Sequence, residues 1–163
     1  MKKRIVYLFL SVLWMIVIFS FSMQNGGESS GVSNQVILFI ENITGIQLMH
    51  NQWISLDTIQ FLIRKAAHMS EYAILAMLLY MFARESKIQS SFIFALIFSM
   101  LYACTDEFHQ LFVNGRSGQW QDVFIDTSGS FLGLCVQQLW FVLKYKMVTI
   151  HSLNKIFIGF STM

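Results

Sequence analysis

The sequence predicts an all-α fold: a polytopic membrane helical bundle of four transmembrane helices with a short amphipathic helix outside it. Of the 163 residues, 55% are hydrophobic and 12% are charged, which is about half the charged share of a soluble domain. Mean hydropathy is +0.57, and proline is absent. The net charge of +2 is too small for a polyanion-binding protein, so we expect no nucleic-acid partner.

Long apolar runs define the four predicted spans, all within a single membrane domain of residues 1–163. The first run follows Met1-Lys2-Lys3-Arg4 and is long enough to cross the hydrocarbon core, which favours a retained helix over a signal peptide. The second helix starts near the Asp57-Thr58 pair, and the third stops before Asn114-Gly115. The predicted helices cover residues 5–23, 58–83, 89–113 and 118–143.

The remaining segments lie between and after these spans. Residues 24–56 form the long external segment, where apolar residues at helical spacing predict an amphipathic helix on the outer membrane surface. These residues are Val32, Val36, Phe39, Ile40 and Ile43. Residues 144–163 are expected to be a cytoplasmic tail. We interpret Cys104 and Cys135, which both occur in apolar runs, as buried free thiols.

The distribution of Lys and Arg predicts the orientation in the cell membrane. With both termini in the cytoplasm, eight basic residues lie inside and three lie outside. The inner group is Lys2, Lys3, Arg4, Arg84, Lys87, Lys144, Lys146 and Lys155; the outer group is Arg64, Lys65 and Arg116. The polar ends of the last three helices then face outward.

Each of these three helices has one polar face. Residues spaced three or four apart share a face of a helix, so the polar residues of each helix lie together. They are Arg64, Lys65, His68, Glu71 and Tyr72 on the second helix; Asp106, Glu107, His109 and Gln110 on the third; and Asp122 and Asp126 on the fourth. Charged groups at membrane depth turn inward and pair, so we expect one outward-facing cavity with Arg116 on its rim.

Alternatives remain open for each motif. His68-x-x-Glu71 and Asp106-x-x-His109 are typical of metal sites in helical bundles, but they also suit hydrogen-bonded pairs that neutralise nearby cations. We predict no metal ligand and leave the cofactor open. Gly129-x-x-x-Gly133 predicts close helix contact rather than chemistry.

These motifs resemble the VanZ-like family. The resemblance covers residues 18–134 and depends on Arg64-Lys65-x-x-His68-x-x-Glu71-Tyr72, Asp106-Glu107-Phe108-His109-Gln110, Gly115-Arg116-Ser117-Gly118 and Asp122-x-x-x-Asp126-x-x-Gly129. Ser20-Phe21-Ser22-Met23-Gln24 and the serines at 29, 30 and 33 resemble the family's exit from the first helix. Many relatives have Asn where this chain has Asp126. The resemblance implies a small multi-pass bacterial membrane protein and supplies no reaction. The founding member is associated with low-level resistance to the glycopeptide antibiotic teicoplanin.

Two functions follow as hypotheses. In the first, the protein binds or modulates an anionic cell-envelope lipid or lipid-linked wall precursor, with Arg64, Lys65 and Arg116 holding the headgroup. The residues Tyr72, Gln110, Asp122 and Asp126 complete this ligand-binding set. In the second, it is an intramembrane enzyme that acts on such a lipid. His68 or His109 is then the acid or base, and Glu71, Asp106 and Glu107 orient it or bind metal. Membrane lipids are the expected partners in both, and the sequence leaves the oligomeric state open.

Overall fold

A computed structural model describes residues 2–50 and 53–161 of the chain, with the backbone alone for 148 and 150–161. This part contains five helices and no strand. The helices are α1 (Lys2–Ser22), α2 (Gly26–Thr44), α3 (Leu56–Glu85), α4 (Ser91–Gln110) and α5 (Trp120–Ser161). The all-α prediction is therefore confirmed.

Three of the helices, α1, α3 and α4, are long and apolar enough to cross a membrane. Many large apolar side chains point away from the bundle, among them Phe9 on α1, which is 65% exposed, and Trp140 on α5, which is 60% exposed. A soluble monomer rarely exposes so much contiguous apolar surface. Length, composition and surface together are those of a membrane protein.

Helix α3 lies at the centre of the bundle and packs against all four other helices. Its buried side chains Tyr72, Leu75 and Leu79 form the core with Ile18 of α1 and Leu134 of α5. The backbones of α3 and α5 approach closely where Gly129 and Gly133 face α3. The predicted role of these glycines in helix contact is confirmed.

The start of α3 and the end of α4 differ from the sequence prediction. The N-cap of α3 is Ser55 rather than Asp57 or Thr58, and its hydroxyl accepts a hydrogen bond from the Thr58 N–H at 3.3 Å. Helix α4 ends at Gln110 instead of 113. The next three N–H groups bond to carbonyls three residues back, which tightens the chain into a turn before Gly115. Gly115 has a φ of 74° and reverses the chain direction there.

The last helix is longer than predicted. Helix α5 continues without a break to Ser161, whereas the sequence analysis ended it at 143 and made 144–163 a tail. Lys144 and Lys146 end the apolar run, but they are good helix formers and no proline follows. Loss of hydropathy was therefore a poor indicator of the helix end. Residues 162 and 163 of the predicted tail lie outside the described residues.

The predicted helix in the external segment is present as α2. It begins with a capping box between Asn25 and Glu28 and ends at Gly45 in the left-handed conformation. Its inner face buries Ser29, Ser33 and Ile37. Of the predicted apolar stripe, Phe39 and Ile43 point away from the bundle, whereas Val32 and Val36 lie partly exposed along its edge beside α3. Small polar side chains therefore make up much of the side of α2 that faces the protein.

Both cysteines are free, as predicted, but Cys104 is exposed and Cys135 is only half-buried. The prediction of buried thiols is wrong for Cys104 because the core face of α4 carries Ala95, Ser99 and Ala103 instead. Cys104 follows Ala103 directly and therefore lies on a different side of the helix.

Candidate functional site

One end of the bundle gathers the polar elements. The end of α1, the start of α2, the first half of α3, the end of α4 and the start of α5 meet there. Gly26 at the start of α2 donates its N–H to the carbonyl of Asn114 at 3.3 Å. Gln119, just before α5, donates its N–H to Glu107 Oε2 on α4 at 2.9 Å. Backbone contacts thus fix the loop of residues 111–119 against its neighbours.

These elements enclose a polar cavity of about 440 Å³, within the size range of small-molecule sites. Six of the predicted site residues line it: Arg64, Lys65, His68, Gln110, Arg116 and Asp122. The other lining residues are Gly26, Ser29, Ser30, Phe61, Gly115, Ser117 and Gln119. Two of the three predicted polar faces therefore open directly into one space, and α4 contributes Gln110.

The two neighbouring cations of α3 have different partners. Lys65 forms an ion pair with Asp122 of α5. Arg64 lines the same cavity, but no carboxylate of the described residues lies within 4.0 Å of its guanidinium. The positive charge of Arg64 is therefore available to a ligand.

Arg116 is held in place by α1. Its Nε donates to the carbonyl of Gln24 at 3.1 Å, and its Nη2 donates to the carbonyl of Phe21 at 3.5 Å. These two bonds hold Arg116, the arginine predicted at the rim, against the end of α1. Burial, followed by the like charge of Arg64, lowers the pKa of Arg116 from its ordinary value. An arginine stays protonated in proteins, so two cations lie close together at this wall.

His68 lies at the inner limit of the cavity. Its Nδ1 is buried without a hydrogen-bond partner among the described residues and is 4.0 Å from Glu71 Oε2. Glu71 lines a second, adjoining groove of about 210 Å³ together with Arg64, His68 and Arg116. A carboxylate beside an imidazole that faces open space is an arrangement suited to proton transfer.

Three acidic residues of α4 and α5, namely Asp106, Glu107 and Asp126, lie behind the cavity rather than along it, whereas Asp122 lines it. Asp106 is 2% exposed, and its Oδ2 accepts a 3.4 Å hydrogen bond from Gln110. Asp126 is 1% exposed, and Glu107 binds the loop N–H at Gln119. Asp106 Oδ1, Asp126 Oδ2 and the Tyr72 hydroxyl are buried without partners in the described part of the chain. The cations therefore line the cavity and these acids form a deeper layer.

One predicted site residue is elsewhere. The ring of His109 packs on Phe19 of α1, with ring centroids 4.6 Å apart, and it lines neither the cavity nor the groove. His109 directly precedes Gln110 in α4, and neighbouring residues of a helix point in different directions, so His109 faces α1 instead of the cavity. Of the two histidines proposed as acid or base, only His68 reaches open space.

The side chains that could ligate a metal are dispersed in the described part of the chain. Within residues 2–50 and 53–147, no group of three or more His, Cys, Asp and Glu side chains is arranged to hold a metal ion. The pair His68 and Glu71 has Lys65, Arg64 and Arg116 as neighbours, which favour an anion over a cation at that position.

Helix α2 contributes to the cavity, which was not predicted from the sequence. Gly26, Ser29 and Ser30 line the cavity, although residues 24–56 were expected to lie on the membrane surface. The signals were the capping pair Asn25 and Glu28 and the serines spaced along one side of the helix. Gly26 must be a glycine here, since a Cβ would lie 2.6 Å from the Gly115 carbonyl oxygen.

Comparison with known families gives one finding. The sequence model of the family described as VanZ/LLP1 matches residues 7–142. The match includes every residue that lines the cavity and the groove. No curated protein and no solved structure matches the chain.

Proposed function

Because the chain belongs to the VanZ/LLP1 family and is a membrane protein, we propose that its polar cavity binds the anionic headgroup of a cell-envelope lipid or lipid-linked wall precursor. The single observation that carries this proposal is Arg64. It is a half-buried cation that lines a cavity, lies near a second arginine and has no acidic partner in the described residues. Placing an unpaired charge there is unfavourable unless a ligand of opposite sign occupies the cavity.

The hydrogen-bond donors around the cavity suit an oxyanion. A guanidinium offers paired N–H groups that match phosphate and carboxylate oxygens, and Arg64 and Arg116 face the same space. Ser29 and Gln110 add neutral donors, whereas the Ser30 hydroxyl donates to the Gly26 carbonyl. The start of the 19-residue helix α2 also lies at the cavity, and a helix N-terminus favours a negative charge.

The proposed membrane arrangement places this cavity toward the outside. Lys2, Lys3 and Arg4 begin α1, and the cavity lies near the other end of this helix. Arg84 and Lys87 likewise lie at the end of α3 away from the cavity. Basic residues mark the cytoplasmic side, so the cavity opens to the outer leaflet. In this arrangement α5 is the fourth span and α2 lies at the outer surface.

Substitution of the unpaired arginine tests the proposal. Arg64→Gln keeps a polar side chain of similar length and removes the charge. We expect it to weaken binding of phosphatidic acid by about tenfold or more, the scale of one charge-assisted hydrogen bond. Arg84→Gln is the matched control, since it makes the same change at the far end of the same helix. Native mass spectrometry of the protein in nanodiscs containing phosphatidic acid and phosphatidylcholine gives both affinities.

Equal binding by wild type and Arg64→Gln, with Arg84→Gln unchanged, would overturn the proposal. The phenotype linked to the family's founding member provides a cellular readout for the wall-precursor form of the ligand. Expression of the wild type and of Arg84→Gln should change teicoplanin susceptibility equally, and Arg64→Gln should have a smaller effect.

A second function is favoured by one observation, the position of His68. This imidazole has an unpartnered Nδ1, lies beside Glu71 and borders both the cavity and the groove. We propose as the alternative that the protein is an intramembrane enzyme in which His68 transfers a proton to or from a lipid-linked headgroup held by Arg64 and Arg116. Asp106, Glu107 and Asp126 form the layer behind it.

Turnover separates this alternative from binding alone. Purified protein is incubated with a lipid diphosphate, and released phosphate is measured. Release that is lost in His68→Gln and kept in His50→Gln, an exposed histidine outside the site, favours the enzyme. Tight binding without release favours the binding protein. Elemental analysis of the same samples determines whether a divalent metal takes part.

A further inference from the structure

A groove of about 210 Å³ adjoins the polar cavity between α1, α2 and α3. Its walls are mainly apolar, with Val32 and Val36 from α2 and Ile63 and Ala67 from α3. Val32 is 41% exposed and Val36 is 38% exposed, so the groove is open to the surroundings of the bundle on the α2 side.

The groove and the cavity share residues at their junction. Ser29, Arg64, His68 and Arg116 line both spaces. The combined site therefore has cations and hydroxyls at one end and apolar walls at the other. A free inorganic anion would contact only the polar end, whereas an amphiphile would contact the polar end with its headgroup and the apolar walls with its hydrocarbon chain.

We propose that the site holds a whole lipid, with its anionic headgroup in the cavity and the first part of one hydrocarbon chain in the groove between α2 and α3. This inference rests on the proposed function and adds a binding place for the hydrocarbon chain of the ligand. Lipid tails are as apolar as the groove, so the groove contributes the position of the chain rather than a hydrophobic driving force. Its volume is below that of a site for a complete drug-sized ligand, which fits a segment of one chain.

Small side chains and one hydrogen bond keep the groove open. Ser33 of α2 and Ala67 of α3 leave space between the two helices. Gln60 Nε2 of α3 donates to Asn34 Oδ1 of α2 at 2.7 Å, within one helical turn of Ile63. This bond holds α2 beside α3, so that the apolar residues of the two helices form the opposite walls of the groove. A lipid can then move sideways from the bilayer into the site without crossing water.

Filling the groove tests the inference. Ala67→Phe places a ring between the walls, and Ala66→Phe makes the same change at the neighbouring exposed position, which lines neither space. We expect Ala67→Phe to weaken binding of phosphatidic acid in nanodiscs by about tenfold or more, the scale of an overpacked contact. Binding of inorganic pyrophosphate should stay within about twofold, because its only contacts are in the cavity. Ala66→Phe should change neither affinity.

A second filler and the arginine variant make the outcomes distinct. Val36→Trp fills the groove from the α2 side, and circular dichroism and thermal melting confirm that each variant is folded. Loss of phosphatidic acid binding in either folded filler, with pyrophosphate binding kept, supports the inference. Unchanged lipid binding in both fillers overturns it, even if Arg64→Gln weakens both ligands. If Arg64→Gln weakens neither ligand, the proposed function fails first.

Discussion

At the scale of single residues, the charge balance of the cavity depends on which cation of α3 is already paired. Lys65 and Asp122 neutralise each other across the α3–α5 contact, with side chains 20% and 14% exposed. Arg64, one position earlier, has no such partner among the described residues. Under the proposed function, the ion pair is therefore structural and Arg64 is the cation that recognises the headgroup. Removal of the acid should therefore affect stability and binding in opposite directions.

Asp122→Asn tests this division. It leaves the Lys65 ammonium without its acid in a largely buried position, so we expect the free energy of unfolding to fall by about 2 kcal/mol. The freed ammonium and the lost negative charge should tighten binding of phosphatidic acid severalfold. Titration with sodium dodecyl sulfate measures the stability, and nanodisc mass spectrometry measures the affinity. Asp57→Asn, an exposed acid in the first turn of α3, is the control. Weaker lipid binding by folded Asp122→Asn would contradict this division of roles.

At the scale of helices, the α3–α5 contact sets the position of the whole α5 face. A Cβ at Gly129 would lie 2.3 Å from the Met69 carbonyl oxygen and 2.7 Å from its Cα. A Cβ at Gly133 would lie 2.8 Å from the Ala73 carbonyl oxygen. Both neighbours are backbone atoms, which cannot move aside without shifting the helix. The approach that these glycines permit is what brings Asp122 to Lys65.

Substitution of these glycines should therefore be graded. We expect Gly133→Ala to lower the free energy of unfolding by about 1–3 kcal/mol and Gly129→Ala by more, because its clash is closer. Gly31→Ala in α2 is the matched control, since nothing lies within 4 Å of its added Cβ. Alanine is the better helix former, so this variant should be as stable as wild type or more stable by about 1 kcal/mol. Thermal melting of the purified proteins measures all three. A fully stable Gly129→Ala would show that the helices are farther apart.

Hydropathy and caps predicted most of the helices but not all of their ends. The apolar runs located α1, α3 and α4 to within a few residues, since each helix must bury or present to lipid a continuous apolar surface. The end of α5 was not predicted, because the apolar run stops at Lys144 but the helix does not. Backbone hydrogen bonds continue the helix through Lys144 and Lys146 whatever the hydropathy of the side chains. Helix α2 was predicted from its stripe of apolar residues. The stripe did not predict which side of the helix faces the protein.

The same limit applies to the site. Helical spacing alone placed Arg64 and His68 on one face of α3, and this face does line the cavity. Spacing could not predict that the start of α2 contacts the α4–α5 loop through Gly26 and Asn114, because tertiary contacts between loops leave no periodic signal. It also could not distinguish His68, which reaches the cavity, from His109, which packs on Phe19.

At the scale of the whole molecule, the chain separates two surfaces. The sides of the bundle present large apolar residues such as Phe9 and Trp140, which suit lipid. The polar atoms are concentrated at one end, where five elements meet around the cavity. The cations at the other end, Lys2, Lys3 and Arg4, are exposed and have no part in the site. The two ends of the bundle therefore differ, and the ligands that can reach the cavity depend on which side of the membrane its end faces.

We expect the bundle to lie in the membrane with both termini in the cytoplasm. Reporter fusions after Glu85 and after Lys146 should both give cytoplasmic signals, and a fusion at Gly45 should give an external one. The reason is the eight-to-three distribution of Lys and Arg, since basic residues near helix ends are retained in the cytoplasm. Gly45 ends α2 beside exposed loop residues, so a fusion there leaves the bundle intact. An external signal after Glu85 would reverse the bundle, and the lipid that enters the groove would then come from the inner leaflet.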